Sequence, residues 1–333
     1  MYVGIKRTEK DHIMKKTTIV TTAYKSEKYL ETYLKCISSL TNLDEVNICI
    51  ISNLPNENEK KIFDKYSNRF PGIFTIVYLN KLETIAQSIN RGFQMASTPY
   101  VSYLDVDDFR KPDSYLNQMK CLENNKDIDY TYGDYIVVKA HGEIMGKRIN
   151  PPEFEKNLFT RGCFVSPTHF FRRSLLDRIG YWDEQYSSGG DFEFQARAAA
   201  SGIKFKKTES VLIYYTKEKN SKSASSNHLQ PLERTVTELR YGIFDKIDYR
   251  YYDKAMEYHV YEVKNGDEWI PVSRLVPKYE QFIEERKFLL PIGKRNHYIN
   301  MFKKIISQPL KMFRYPQKFY SDLVYHFNLR YRN

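Results

Sequence analysis

Four β-prone runs alternate with three helix-like segments in the first third of the chain. The runs are residues 17–22, 46–51, 74–79 and 100–104. Strands joined by helices of this length pair in parallel and build a doubly wound sheet. The second run is apolar apart from Asn47, which is typical of an inner parallel strand with both faces buried. The sequence therefore predicts an α/β fold with a mostly parallel central sheet and helices on both of its faces.

The pattern becomes more mixed after residue 110 and stops near residue 225. A hairpin of residues 130–138 and 143–149 is expected to add an antiparallel edge to the sheet. A strand at 168–172, a helix bounded by glycines at 189–202 and a strand at 210–215 follow. We expect three regions. They are an N-terminal extension (1–14), an α/β domain (15–225), and a smaller, mainly helical, basic and tyrosine-rich region (226–333).

The charge balance suggests anionic partners. Lys and Arg number 52 against 41 Asp and Glu, which gives a net charge of +11. No recognisable nucleic-acid-binding motif accompanies this charge, so we predict no nucleic acid partner. From Lys294 onward, cationic and aromatic residues interleave. Two interpretations of this pattern stay open: a helical cap packed on the α/β domain with a solvated basic face, or contact with an anionic membrane surface.

Other sequence features bear on cellular location. No apolar run reaches the roughly 20 residues that span a bilayer, and the N-terminal residues lack the apolar core of a signal peptide. Cys36, Cys49 and Cys121 occur in apolar contexts and are expected to be free thiols. These features favour a cytoplasmic protein, with peripheral attachment to the inner face of the cell membrane as a further expectation.

Three carboxylates crowd the end of the fourth predicted strand, at Asp105, Asp107 and Asp108. They repel one another unless a positive charge lies among them. Mg²⁺ or Mn²⁺ suits such a position, because each takes one or two protein carboxylates and completes its shell with water and phosphate oxygens. Open α/β sheets also bind ligands at the carboxyl ends of their strands. The alternative is a solvated acidic turn before a helix that starts near Pro112.

Four segments in order resemble the family 2 inverting glycosyltransferases of the GT-A fold, in particular bacterial enzymes of cell-surface polysaccharide synthesis. The segments are residues 21–30 (TTAYKSEKYL), 88–92 (SINRG), 104–108 (LDVDD) and 190–193 (GDFE). The resemblance covers roughly residues 15–225. It implies transfer of a hexose or N-acetylhexosamine, with inversion, from a nucleotide diphosphate sugar. A UDP-sugar is favoured, and the acceptor is a hydroxyl of a glycan or lipid-linked glycan.

The resemblance also implies roles for particular residues. Asp107 would bind Mn²⁺ or Mg²⁺, Asp105 would contact the ribose or the metal through water, and Asp191 would be the catalytic base. The remaining predicted nucleotide-binding residues are Thr22, Ala23, Tyr24, Asn53 and Asn90. An alternative for Asp191 is a residue of the first helical turn, stabilised by the helix dipole.

Two positions depart from the family pattern. Ser52-Asn53 occupies the place of an aspartate pair whose first member reads uracil, and Glu218 lies nearest the place where a histidine is common. An asparagine amide can still face a base edge, because it both donates and accepts hydrogen bonds. These departures motivate an alternative function, a catalytically silent nucleotide- or glycan-binding protein on the same fold.

Several further residues have two interpretations. Glu193 is either a supporting or acceptor-site residue or a plain surface residue. Trp182 is either a sugar platform or a packed aromatic. His169 is expected to be an interior histidine rather than a ligand, and Arg172 and Arg173 either reach the diphosphate or form ordinary ion pairs.

Overall fold

The computed structural model describes residues 14–155, 165, 167–218 and 228–299. The predicted alternation is present from the first strand. In chain order the elements are β1 (Thr17–Tyr24), α1 (Glu27–Ile37), β2 (Val46–Asn53), α2 (Glu57–Arg69), β3 (Phe74–Leu79), α3 (Ile85–Met95) and β4 (Tyr100–Tyr103). The four strands pair in parallel in the order β3-β2-β1-β4. This half of the sheet confirms the prediction.

The second half of the sheet is mixed. Its elements are β5 (Phe109–Arg110), α4 (Ser114–Asn124), β6 (Tyr130–Val138), β7 (Lys147–Ile149), β8 (Phe170–Arg172), α5 (Ser174–Ile179), α6 (Gly190–Ala200) and β9 (Phe205–Thr216). The order continues from β4 through β8, β6 and β9 to β5, with β7 paired to β6. The antiparallel edge is therefore present in β5 and β7, but β8 is also antiparallel to both of its neighbours, inside the sheet.

The predicted hairpin is shorter than expected. Its second strand begins at Lys147 rather than at residue 143, and β6 is an interior strand because β9 pairs with it in parallel. Gly146 approaches β6 so closely that a Cβ atom there would lie 2.0 Å from the carbonyl oxygen of Val137. β9 is longer than predicted, because residues 205–208 also pair with β6, ahead of an irregularity in the register.

Two apolar layers cover the faces of the parallel strands. Ile48 and Ile50 pack in the layer that contains α1, whereas Cys49 and Ile51 pack in the layer that contains α3. Alternate side chains of a strand point to opposite faces, so a strand that is covered on both sides is apolar at every position. On the α3 side a Cβ atom on Gly92 would lie 2.3 Å from a methyl group of Val20, so only glycine allows this close approach.

The start of α1 differs from expectation. Ser26 has the N-cap position, but its side chain makes no capping hydrogen bond to the helix. Its backbone N–H and its hydroxyl instead donate to Glu59 Oε1, at 2.8 and 3.1 Å. Glu59 is buried, and it also closes the capping box of α2 with Asn56. The serine therefore joins two helices instead of capping one.

The C-terminal region is mainly helical, as predicted, and also contains one hairpin. Its elements are α7 (Leu229–Arg240), α8 (Tyr252–Ala255), β10 (Glu262–Asn265), β11 (Glu268–Pro271), α9 (Val272–Leu275) and α10 (Tyr279–Glu284). The two strands are joined by Gly266-Asp267, where Gly266 has φ +60°. A Gly-Asp pair between two strands is a hairpin signal, but no hairpin was predicted here.

Parts of the predicted organisation lie outside the described residues. These are most of the N-terminal extension, the boundary near residue 225 and the tail from residue 300 onward. Among the helices that the structure does describe, none has both the length and the apolar character needed to cross a bilayer.

Candidate active site

The carboxyl ends of β1, β2 and β4 meet at one edge of the sheet. Tyr24 pairs with Asn53 in the register of β1 and β2, which brings the predicted nucleotide-binding segment to the end of both strands. Beyond β4, the Tyr103 hydroxyl donates to the Asp105 carboxylate, and the Thr22 side chain hydrogen bonds to Tyr103. Tyr24 is 45% exposed. The structure thus brings Thr22, Ala23, Tyr24 and Asp105 together, with one exposed aromatic ring.

The two predicted asparagines are engaged inside the protein. The Asn53 amide donates to Ser88 Oγ at 3.0 Å and accepts from the Glu83 backbone N–H at 2.8 Å. Asn90 donates to the carbonyl oxygen of Trp182 and accepts from its N–H, at 2.8 and 2.9 Å. Both side chains are buried. Their observed contacts hold neighbouring segments in place, and contact with a nucleotide stays a prediction.

The three aspartates are not equivalent. Asp108 is buried and accepts from the Thr216 N–H at 2.7 Å, which ties the acidic turn to the end of β9. Burial, together with the charges of Asp105 and Asp107, raises its pKa well above the ordinary range. Burial also raises the pKa of Asp107. A bound cation would reduce the repulsion among these carboxylates. The side chains of Asp105 and Asp107 are accessible to it, because both are partly exposed.

The protein alone does not supply a complete metal site in the described part of the chain. Those residues contain no group of three or more His, Cys, Asp and Glu side chains that could hold a metal ion. The carboxylates at the strand end fit Mg²⁺ or Mn²⁺ if water and substrate oxygens fill the remaining coordination positions. These ions favour such a mixed coordination shell.

A second group of side chains surrounds Asp107 from the other side. His141 Nδ1 lies 2.9 Å from the Asp107 carbonyl oxygen, and its Nε2 lies 3.3 Å from the Tyr29 carbonyl oxygen. Glu218 accepts from Lys28 Nζ at 3.4 Å and from the Tyr29 hydroxyl at 3.2 Å. The sequence interpretation assigned His141 only to a turn. No local signal could have placed it here, because pairing of β6 with β7 and β9 brings it to the site.

An aromatic cluster of Tyr103, His169 and Trp182 links Asp105 with Asp191. The ring centroids of Tyr103 lie 5.6 Å from Trp182 and 6.5 Å from His169. A Cβ atom on Gly190, the first residue of α6, would lie 3.1 Å from Trp182 Cε3. Trp182 is 4% exposed, so it is a packed aromatic and the sugar platform is wrong. Asp191 is half-buried and follows directly.

His169 is an interior histidine, as expected. Its Nδ1 lies 2.6 Å from the Tyr130 hydroxyl and 3.1 Å from Gln195 Nε2. Burial lowers its pKa to about 4, and the negative charge of Asp191 acts in the opposite direction. Asp191 is therefore within electrostatic reach of His169, and the cluster connects it to Asp105 at the strand end.

The neutral, buried His169 predicts a pH effect on stability. Its pKa is about 4 in the folded protein and about 6.5 in an unfolded chain. The unfolded state therefore binds more protons between these values, and stability is full above pH 6.5 and falls as the pH falls. The full difference is about 3 kcal/mol. In denaturant titrations from pH 7 to 4.5, His169→Gln is expected to remove this part of the pH dependence.

His259 provides the control for this measurement, since its side chain is 51% exposed and lies beside Glu262. His259→Gln should leave the pH dependence as in the parent protein. Equal pH dependence in the parent and the His169→Gln protein would contradict the assignment of a neutral buried imidazole.

Glu193 is completely buried, so the surface role considered for it is wrong. It accepts from Arg197 at 2.7 Å, from Arg240 at 3.0 Å and from the Tyr241 hydroxyl at 2.6 Å. Burial alone would raise the pKa of Glu193, but the two guanidinium groups outweigh it and hold the pKa below its ordinary value. Arg240 also donates to Asp183 at 2.7 Å. This network joins the segment around Asp191 to the C-terminal region.

The two arginines at the end of β8, Arg172 and Arg173, have structural contacts. Arg172 donates to the carbonyl oxygens of Ile128 and Leu122, at 3.0 and 2.6 Å. Arg173 lies 3.7 Å from Asp177, as an ordinary ion pair. Among the described residues, the contacts of Arg172 and Arg173 do not direct either side chain to the strand-end site.

Comparisons with known proteins agree with this architecture. Residues 18–180 match the family model described as Glycosyl transferase family 2. The chain is 28% identical over 204 residues to an uncharacterized glycosyltransferase of Methanocaldococcus jannaschii, covering 60% of this chain and 69% of that protein. It is 22% identical over 250 residues to chondroitin synthase of Pasteurella multocida, covering 71% of this chain and only 25% of that protein. The chain thus corresponds to about a quarter of the synthase.

Among solved structures, the fold resembles S. aureus TarS residues 1–349 in complex with UDP-GlcNAc. The TM-score is 0.56 and the identity 18%, over 72% of this chain and 69% of the other. The mixed sheet of this order, with a helical C-terminal part, has the GT-A fold. The family match, over just under half of the chain, and the similar glycosyltransferases support a family 2 glycosyltransferase. Asp191 lies beyond the residues matched by the family model, so its role depends on other evidence.

Proposed function

We propose that this enzyme transfers a hexose or N-acetylhexosamine from a nucleotide diphosphate sugar, with a UDP-sugar as the favoured donor, to an acceptor hydroxyl with inversion. The acceptor is a glycan or lipid-linked glycan of cell-surface polysaccharide assembly. The observation that carries the proposal is the aromatic cluster of Tyr103, His169 and Trp182, which joins Asp105 at the strand end to the helix start at Asp191. The likeness to a chondroitin synthase supports a polysaccharide product.

The donor would lie across the ends of β1 and β4. The exposed Tyr24 ring is suited to stacking on the base, and the backbone of Thr22 and Ala23 would line the nucleoside. Asp107 and Asp105 would hold Mn²⁺ or Mg²⁺, which as a Lewis acid would stabilise the charge that develops on the leaving diphosphate. Lys28, beside Glu218, adds a positive charge near Asp107.

Asp191 would act as the general base. A carboxylate within hydrogen-bond reach of the acceptor hydroxyl takes its proton as the oxygen attacks the anomeric carbon. The glycosidic bond to the diphosphate breaks in the same displacement, so the configuration inverts. One carboxylate is sufficient for this mechanism, and no second nucleophile is required.

A catalytically silent binding protein is the second candidate. The engaged side chain of Asn53 favours it, because that amide is committed to Ser88 and Glu83 where the family pattern has a base-reading acid. Saturable nucleotide binding without any release of nucleotide from a nucleotide sugar would support this alternative.

A thermal-shift panel tests the donor and the metal together. UDP, GDP, dTDP and CMP are each added with and without Mn²⁺, because a ligand at 100 times its Kd stabilises the folded state by about 2.7 kcal/mol. We expect one nucleoside diphosphate to raise the melting temperature, more strongly with Mn²⁺. Asp107→Asn should abolish the Mn²⁺-dependent part of that rise.

Asp113→Asn is the matched control, since Asp113 is an exposed acid in the same connection between β4 and α4. It should behave as the parent protein does. If no nucleotide raises the melting temperature with Mn²⁺ present, the proposed donor class is wrong. If Asp107→Asn keeps the full Mn²⁺ effect, the metal assignment is wrong.

A further inference from the structure

We propose that Glu233, in the C-terminal region, is a positioning residue that sets the place of Asp191 by holding the backbone just before it. This inference rests on the proposed role of Asp191 as the base. Glu233 lies on α7, beyond the residues matched by the family model. It is not itself placed against the reacting atoms.

The contact consists of three hydrogen bonds to one carboxylate. Glu233 Oε1 accepts from the Ser187 N–H at 2.7 Å, and Oε2 accepts from the N–H groups of Ser188 and Gly189 at 2.8 and 2.6 Å. Glu233 is completely buried. Hydrogen bonds to an ionised acceptor are about twice as strong as neutral ones, and burial protects these from water.

The three N–H groups that Glu233 binds lie at the start of α6. Gly189 is the N-cap residue of α6, and having no side chain it cannot cap the helix itself. The carboxylate of Glu233 therefore supplies from another helix the negative charge that the positive end of the α6 dipole favours. Asp191 follows two residues later, so a shift of the 187–189 backbone would move its carboxylate.

The two glycines allow the segment to pass between its neighbours. A Cβ atom on Gly189 would lie 3.3 Å from Glu233 Cβ, and one on Gly190 would lie 3.1 Å from Trp182 Cε3. Either contact is tighter than ordinary packing. The backbone before Asp191 is therefore confined between Glu233 on one side and the aromatic cluster on the other.

One face of α7 carries the whole contact. Glu233, Thr237 and Arg240 are spaced four and three residues apart, so they project from the same side of the helix. Thr237 hydrogen bonds to the Tyr186 hydroxyl at 3.0 Å. Arg240 binds residues on both sides of Asp191, at Asp183 and Glu193. α7 thus holds the segment from residue 183 to residue 193 at several points. Among these contacts, that of Glu233 is the one at residues 187–189, where the segment enters α6.

The test compares Glu233→Gln with Glu238→Gln. Glutamine keeps the size of the side chain but presents an NH₂ group to N–H donors, so at least one of the three hydrogen bonds is lost. The donor is a nucleotide sugar that carries the nucleotide identified by the thermal-shift panel. The assay measures the nucleoside diphosphate that this donor releases when Mn²⁺ is present and water is the acceptor. We expect kcat to fall at least 10-fold for Glu233→Gln, because misplacement of a reacting group by 1 Å can cost about 10²-fold. The donor KM should stay within about twofold.

Glu238 is the matched control. It lies on the same helix, it is buried, and it pairs with Arg234 at 2.8 Å without contact to the 187–189 backbone. Glu238→Gln should leave kcat within about twofold of the parent value. Hydrogen exchange of the Ser187, Ser188 and Gly189 amides gives a readout that is independent of activity, and it should accelerate in Glu233→Gln only.

The outcomes separate this inference from the proposed function. If Asp191→Asn retains full activity, the proposed base is wrong, whatever Glu233→Gln does. If Asp191→Asn is inactive but Glu233→Gln keeps its kcat, the positioning role is wrong. Should Glu233→Gln fail to fold, Glu233→Asp keeps the charge but shortens the reach by one carbon, and a kcat equal to that of the parent would overturn the proposal.

Discussion

Replacing Asp191 with Asn is expected to lower the rate of sugar transfer by about 10²–10⁴-fold, which is the usual contribution of a general base. The amide keeps the size of the side chain but cannot accept the proton of the acceptor hydroxyl. Nucleotide binding should be retained, because the proposed donor contacts come from the strand ends and not from α6. Steady-state kinetics should therefore show a loss in kcat with little change in the donor KM.

Asp177→Asn is a suitable control, since Asp177 is an exposed acid on the preceding helix that pairs with Arg173. It should retain the parental rate. A thermal shift on adding the nucleotide to Asp191→Asn would show that the donor site is intact. If Asp191→Asn lost nucleotide binding as well as activity, Asp191 would belong to the donor site instead of acting as the base.

Replacing Arg240 with Ala should produce the largest loss of stability of any change considered. Arg240 is completely buried and donates to Asp183 at 2.7 Å, to Glu193 at 3.0 Å and to the carbonyl oxygens of Val260 and Glu262 at 2.6 and 2.7 Å. Its removal leaves two carboxylates in a water-excluded site with less compensation. Breaking a buried ion pair in this way typically costs about 3–5 kcal/mol.

Urea denaturation of Arg240→Ala, followed by circular dichroism, measures this loss. Arg178→Ala is the control, because Arg178 also pairs with an aspartate, at 2.6 Å from Asp129, but its side chain is 52% exposed. Exposed ion pairs contribute about 0–1 kcal/mol. Similar losses for the two variants would mean that the buried network does not hold the C-terminal region to the α/β domain.

The α/β part of the fold could be predicted because its signals are local. β2 is apolar from Ile48 to Ile51 since α1 and α3 cover both of its faces, and that pattern is visible in these residues alone. The acidic turn after β4 and the glycines before α6 were equally visible. The antiparallel insertion of β8 between β4 and β6 could not be predicted, because strand order depends on contacts between distant segments.

Some residues of the candidate site could likewise be proposed from sequence, and others could not. The crowding of acids after the fourth strand was enough to single out Asp105 and Asp107, and the family resemblance added Asp191. Sequence alone could not separate the buried Asp108 from its neighbours or bring His141 to Asp107. Nor could it show that Asn53 and Asn90 are engaged by other parts of the protein.

The chain's own pattern was sufficient for the four parallel strands, the helices between them and the acids after the fourth strand, because hydrophobic period and turn residues act over a few positions. The tertiary structure alone decided which charges are buried together. Glu193 and Glu233 look in sequence like any other helical glutamates, and a carboxylate is ordinarily most stable in water. Only when α7 packs against the segment before α6 do Arg240 and three backbone N–H groups replace that water.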